Sequence, residues 1–387
     1  MKSFLRIICA VLTLGLAACE EPEPIVTPDT TIASLGTPAD NEIWFTTADN
    51  KELMALNSEA FDANIVEIEY SEFGLNVIRF DKNITTIGAN AFNNCRNVNN
   101  ISLPESINTI GERAFFDCIN LECMTLGSKI KSCGNQAFDN CISFYTLHIS
   151  SIGDWCQIEF ANPTANPLYH CGMFIVNGHK ATNITIPDWV SHISNYAFYN
   201  YTMLSSITIP KNIKSIGIDA FGGCESLSKV NVKDIAAWCN IDFAVSYYSN
   251  PLAYASSLYI NDEPATDISL VGVEAIKDRV FQGCNNIKSF VADSSLKSIG
   301  EEAFRGCMEL TNVDLGTGIT EIKGKAFMGC QALKSVKCMV AEPPVLGDKY
   351  VFDYNAEGRK IYIPSEAYTT YISNEMWSKY ADSIKGI

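Results

Sequence analysis

A pattern of 23 residues returns along most of this chain, and it limits the fold more than any other feature. Residues 296–318, LKSIGEEAFRGCMELTNVDLGTG, show it clearly. An apolar start at Leu296 and Ile299 is followed by Gly300, Ala303-Phe304, Cys307 and Leu310, and the stretch closes on Val313 and Leu315. Units begin at Ile84, Ile107, Ile130, Val190, Ile213, Val273, Leu296 and Ile319, in steps of 23, 23, 60, 23, 60, 23 and 23. The two long steps are alike, so a larger unit recurs at 83: Trp155-Cys156 answers Trp238-Cys239. Asn166-Pro167-Leu168 answers Asn250-Pro251-Leu252 at 84. The insertions are therefore duplicated structure, and packing of an extra coil explains the Trp-Cys pairs.

One unit cannot fold alone, because it buries too little apolar surface to offset about 1–2 kcal/mol of chain entropy per ordered residue. Stacked units can, each Ile, Phe and Leu lying over its equivalent in the next coil. Late in each unit apolar residues alternate with polar ones, as in Ile207-Thr208-Ile209, which reads as a strand with one buried face. Its outward row is Ser102, Thr125, His148, Thr208, Asn231, Val291, Asp314 and Lys337. All of these except Val291 form the candidate binding face. The early pair, as in Ile213-Lys214-Ser215-Ile216, reads as a second short edge. Ala-Phe is expected on a helical or 3₁₀ turn packed inward.

The pattern I-x-x-I-G-x-x-A-F-x-x-C-x-x-L resembles the BspA-like leucine-rich repeat family, and Ile213, Gly217, Ala220, Phe221, Cys224 and Leu227 fit it directly. The resemblance implies an α/β leucine-rich-repeat solenoid with short parallel strands and helical or 3₁₀ turns, capped at both ends. It covers residues 84–338, with the duplicated insertions at about 150–189 and 233–272. Departures are Cys133 for the second Ile, Tyr201 for the repeat Cys, and Arg279-Val280-Phe281 at one Ala-Phe turn. The family implies surface display and binding to host proteins, other microbes or matrix. It has no fixed site motif to carry over.

At the amino end Lys2 and Arg6 precede an apolar run over residues 7–16, then Leu16-Ala17-Ala18-Cys19. This reads as a signal peptide over 1–18, and it resembles the lipobox of bacterial lipoproteins, which implies lipid attachment at Cys19. The acidic, proline-containing residues 19–40 read as a tether. Acidic residues directly after the cysteine resemble the surface-export signal of Bacteroidetes lipoproteins. The expected location is the outer membrane, lipid-anchored at the cell surface, with a periplasm-facing anchor as the alternative. Residues 41–83 read as an N-terminal cap with strands at 43–46, 65–70 and 77–80 and a helical turn at 52–56. Residues 339–387 read as a C-terminal cap. Its strand is Lys360-Ile361-Tyr362-Ile363, and Ser365 is placed as the N-cap of a helix whose Tyr368, Tyr371, Trp377 and Tyr380 cover the last coil.

The chain has 387 residues, 47% of them hydrophobic, enough for a sizeable core. Its net charge of -16 leaves no basic stripe for nucleic acid. Seven of the 15 cysteines share one repeat position, Cys95, Cys118, Cys141, Cys224, Cys284, Cys307 and Cys330, and read as a buried, reduced row. No C-x-x-C occurs, and neither a metal nor a cofactor is expected. His170, His179 and His192 lie near Cys171, but the second insertion has Ala255 in place of Cys171, so these read as solvated loop residues rather than a Cys-His nucleophile. The expected function is binding of a protein or glycan by a monomer, not catalysis. The alternative is a structural or accessory subunit of an outer-membrane assembly or nutrient-uptake system, with a hydrolase more remote.

Overall fold

The computed structural model describes residues 37–72 and 74–387. The signal peptide, Cys19 and the tether up to residue 36 lie outside the described residues. Each 23-residue coil contributes a strand to two parallel ladders. The long ladder holds Val98–Ser102, Cys123–Thr125 and Thr146–Ile149, with Ile101, Met124 and Leu147 in register. The short ladder holds Thr86–Ile87, Thr109–Ile110 and Ser132–Cys133. Between the ladders the Ala-Phe turns stack inward. The rings of Phe92 and Phe115 lie 5.0 Å apart and those of Phe115 and Phe138 lie 5.3 Å apart, both nearly parallel. Phe198 and Phe221 repeat this, as do Phe281, Phe304, Phe327 and Phe352. Phe115, Phe221 and Phe304 are all fully buried, so the coils are in step.

Three positions of the repeat have a physical cause in this stacking. The glycine after the second Ile lets coils approach: a Cβ on Gly111 would stand 2.5 Å from the Ala89 nitrogen, and one on Gly300 would stand 2.5 Å from the Asp278 nitrogen. The residue before the repeat cysteine is left-handed in every coil. It is always Asn, Asp or Gly: Asn94, Asp117, Asn140, Asn200, Gly223, Gly283, Gly306 and Gly329. Those types tolerate positive φ best. Where a regular coil lies beneath, the cysteine thiol donates to its phenylalanine carbonyl, as Cys118 to Phe92 O at 3.1 Å, Cys224 to Phe198 O at 3.2 Å and Cys330 to Phe304 O at 3.0 Å, whereas Cys284 at a block start donates to Asn286 Oδ1.

Each insertion is one extra coil. After the helix Ile152–Trp155, Glu159–Phe160 joins the short ladder beside Ser132–Cys133, and Met173–Val176 joins the long ladder beside Thr146–Ile149. A hairpin to His179–Lys180 then ends the long ladder. New ladders begin at Asn183–Thr185 and His192–Ile193. The second insertion repeats this with Ile235–Cys239, Asp242–Phe243, Leu258–Ile260 and Glu263–Pro264, and the third pair of ladders starts at Asp267–Leu270 and Ala275–Ile276. The solenoid is thus three blocks.

At each junction the regular backbone hydrogen bonds between coils are missing, and the recurring residues of the insertions replace them. Within a block the Ala carbonyl accepts from the Phe amide of the coil beneath, as Ala114 O from Phe92 N. At the first junction Ala197 O accepts instead from Trp155 Nε1 at 2.8 Å and Asn166 Nδ2 at 3.1 Å. At the second, Val280 O accepts from Trp238 Nε1 and Asn250 Nδ2, both at 3.2 Å. Cys156 O and Cys239 O accept from Ser194 N and Lys277 N, the residues that stand where most other coils have glycine. Tyr201 and Arg279-Val280-Phe281 fall in the first coils of these blocks, whereas Cys133 lies inside the first block and Lys323 takes the glycine position inside the third. Ser194 and Lys277 have no coil pressed beneath them in the regular way, so a side chain fits. Tyr201, in place of cysteine, fills the wider gap with its ring 5.7 Å from Phe174.

The caps differ in detail from their expected form. Strand Glu42–Thr47 runs antiparallel to Val98–Ser102 and to Asn76–Phe80, which pairs with Ile65–Glu69. Residues 52–56 form no helical turn. Ala55 is left-handed, and the Leu53 and Met54 amides donate to Tyr70 Oη and Asn97 Oδ1 rather than to carbonyls of a helix. At the other end stacking runs on beyond Cys338: Val345–Leu346 extends the short ladder and Lys360–Ile363 the long one. Ser365 does not cap a helix. It opens a 3₁₀ turn, Ser365–Ala367, and helix Tyr368–Ser373 has no side-chain cap. Trp377 is buried and donates to Pro344 O at 2.7 Å, and Tyr371 and Tyr380 are buried beside it, but Tyr368 is 40% exposed and faces outward. A final strand, Ile384–Gly386, unforeseen from the sequence, seals the long ladder. No helix among the described residues is long and apolar enough to cross a membrane.

Candidate binding surfaces

The outward row of the long ladder is divided by the block junctions into three runs. Ser102, Thr125, His148 and Ile175 are in register in the first block, and Thr185, Thr208, Asn231 and Tyr259 in the second. In the third the run is Ser269, Val291, Asp314, Lys337, Tyr362 and Lys385. Two members of the expected face are not available to a partner. Ser102 is fully buried, paired with Trp44 of the capping strand. Asn231 is 2% exposed because its Oδ1 accepts from the Asp262 amide at 2.9 Å and fastens the hairpin. Thr125, His148 and Thr208 are half-buried. Asp314 and Lys337 form an ion pair at 3.1 Å. Exposed side chains on this row are concentrated in the third block, where Val291 is 45% exposed and Lys337 is open to solvent.

A second surface, not foreseen from the sequence, lies on the turn side of the middle block. The rings of Tyr169 and Tyr199 stack 6.0 Å apart, and Tyr196 meets Tyr199 edge-on at 5.9 Å. Tyr248 stacks on Tyr254 at 5.5 Å and meets Tyr247 at 5.4 Å. Burial and the neighbouring phenols raise the pKa of Tyr199, with Tyr248 among those neighbours. Tyr247 and Tyr248 are 46% and 44% exposed. Tyr247 also borders a 480 Å³ cavity with Gln282, Arg305 and Met308. The one available sequence signal was the variable residue after the repeat Phe, which is tyrosine only at Tyr199.

The third surface is a cleft at the first junction. Two rows from the short ladders line it, Thr109–Ser132–Glu159 from the first block and His192–Ser215–Asp242 from the second. Its volume is about 910 Å³, and an adjoining cavity of about 990 Å³ shares Thr109, Ser132, Glu159 and His192.

Cys171 and its neighbours do not form a reactive pair, but neither are they all solvated loop residues. Cys171 is 5% exposed, and its Sγ donates to Met173 O at 3.1 Å. Burial pushes the thiol up to about 12 and pushes the His170 imidazole down. His179 is exposed on the hairpin, and His192 lies in a short strand at the cleft. Among the described residues no cluster of His, Cys, Asp or Glu could hold a metal ion.

All 13 described cysteines are buried. Burial raises Cys95, Cys141, Cys224 and Cys284 from 9.0 to about 12. Two results follow. Native protein at pH 8 is expected to resist iodoacetamide, with alkylation tracking unfolding in urea. The folded state also holds these thiol protons more tightly than the unfolded state. Their contribution is therefore complete below pH 9 and is lost as pH rises toward 12, so the urea midpoint should fall across that window.

The profile of the BspA type leucine rich repeat region matches residues 63–164, 156–246 and 261–386, in six copies. The chain belongs to the BspA type leucine-rich repeat family. Among solved structures it is similar to a leucine-rich repeat protein from Bacteroides ovatus, at 19% identity over 91% of this chain and 100% of that one, with a TM-score of 0.37. It is also similar to a leucine rich cell surface protein from Faecalibacterium prausnitzii, at 18% identity over 90% and 98%, with a TM-score of 0.39. A third is the pneumococcal vaccine antigen PcpA, at 13% identity over 79% and 83%, with a TM-score of 0.34. No curated protein matches. Within this BspA type chain the family repeat accounts for the ladders and the cysteine row. The tyrosine cluster and the cleft lie where residues are not set by the repeat.

Proposed function

We propose that this BspA type protein is a cell-surface lipoprotein, anchored through Cys19, that binds a host, microbial or matrix protein. The tyrosine cluster of the middle block carries this reading. Tyrosines supply large contact area at little entropic cost and dominate many protein interfaces, and here ring stacking holds them ready. The exposed third-block row, with Val291 and Lys337, is the alternative contact surface, and it follows the strand-face expectation.

The test uses whole cells displaying the full chain on immobilised matrix proteins and on partner bacteria. Tyr199→Ala with Tyr248→Ala is expected to weaken adhesion about 30-fold or more, the effect of removing a hot spot of roughly 2 kcal/mol. Loss on Val291→Lys and Lys337→Glu instead would move the contact to the strand row. No loss on either would end the proposal. Cys19→Ser is expected to release the protein from the membrane fraction and abolish palmitate labelling; retention of both would remove the anchor.

A further inference from the structure

We propose that the cleft at the first block junction binds a neutral oligosaccharide, with Trp189 as its stacking platform. This goes beyond the protein-binding reading and uses a different surface. The argument starts from a comparison the molecule makes with itself, since the two junctions are built from the same duplicated parts 83 residues apart.

At the second junction the equivalents of Glu159, His192 and Ser194 are Asp242, Ala275 and Lys277. There Lys277 Nζ reaches Asp242 Oδ1 at 2.6 Å and ties the two coils together. At the first junction Ser194 is too short to do this, and Glu159 is left exposed beside His192. Trp189 corresponds to Gly272, and Gly153 beneath it corresponds to Ala236. The pair is matched: a Cβ on Gly153 would come within 2.3 Å of the Trp189 ring, so the ring occupies space that only a residue without a side chain leaves open. Asn212 Nδ2 donates to Asp188 O and holds the turn that carries the ring. Trp189 nevertheless remains 57% exposed. A tryptophan retained for packing alone would be largely buried. Asp154, next to Gly153, lines the adjoining cavity, so the ring lies beside that cavity, outside the lining of the cleft itself.

The lining names the ligand class. The walls carry hydroxyls from Thr109, Ser132 and Ser215, with the planar acceptor Glu159 and the imidazole of His192. These suit a ligand rich in hydroxyl groups, and an exposed indole suits the apolar face of a sugar ring. Charge is balanced: Asp154 and Glu159 stand against Lys129 and Lys131, and Asp242 is already paired with Lys277. An uncharged chain is therefore the match. Each of the two joined cavities is near the top of the range of about 300–1,000 Å³ for small-molecule sites, which fits several linked sugars better than one.

The test is a printed array of neutral and acidic oligosaccharides of three to eight residues, probed with the full chain, then titration calorimetry with the best neutral glycan. Wild type is expected to bind neutral glycans in preference to sialylated or uronate ones. Trp189→Ala is expected to lower affinity at least tenfold. Ser194→Lys, which installs the residue the second junction already carries, is expected to pair with Glu159, close the cleft and lower affinity as much, with an unchanged melting temperature. Tyr199→Ala with Tyr248→Ala should leave glycan binding intact, which separates this site from the protein-binding surface. The proposal is overturned if no neutral glycan binds at millimolar concentration, or if Trp189→Ala and Ser194→Lys both bind as wild type does.

Discussion

Trp155→Ala is expected to destabilise the protein by about 3–5 kcal/mol, the usual cost of removing a large buried aromatic side chain, and to divide its unfolding into two transitions. Trp155 is 1% exposed, with its ring 5.3 Å from Phe160 and 5.1 Å from Phe174. Its indole also donates across the junction to Ala197 O. In a stacked architecture stability is a sum of local terms and nearest-neighbour interfaces. Weakening one interface therefore uncouples the first block from the other two. Calorimetry, read together with urea melts at several wavelengths, would show it. Trp155→Phe is expected to cost only about 1 kcal/mol, because the ring is kept and Asn166 Nδ2 still donates to Ala197 O. A single cooperative transition for Trp155→Ala, with a stability loss below that of Trp155→Phe, would disprove the junction account.

Gly111→Ala is expected to cost about 3 kcal/mol, the upper end for overpacking. Its Cβ would meet the Ala89 nitrogen at 2.5 Å and the Gly88 carbonyl carbon at 2.6 Å. Both are backbone atoms of the coil beneath, so no rotamer change relieves the clash and the coils must separate. The matched control is Ser194→Gly, at the same repeat position where a block begins. There a side chain is already accommodated, and the change should cost no more than about 1 kcal/mol through added freedom of the unfolded chain. Urea midpoints of the two variants test the idea, and equal losses would contradict it.

Much of this architecture was legible in the sequence because stacking makes sequence period and spatial period the same thing. The repeat placed Ile101, Met124 and Leu147 in one ladder and Phe92, Phe115 and Phe138 in one stack. The recurrence of Trp155-Cys156 at Trp238-Cys239 marked the insertions as extra coils. The role of those residues was not legible, since it depends on which backbone groups a junction leaves without partners. Pleat alternation alone predicts a single outward row. Alternation does not say that Trp44 covers Ser102 or that Asn231 is turned to the Asp262 amide.

The 23-residue period is enough to specify the coil, its register and the buried rows, because it can be satisfied only by equivalent residues lying over one another. Where the ladders stop and restart, which outward side chains stay in solvent, and the meeting of rows from two blocks at a cleft follow only from the packed chain. Those outcomes depend on contacts between segments whose spacing departs from the period, so no repeat could announce them.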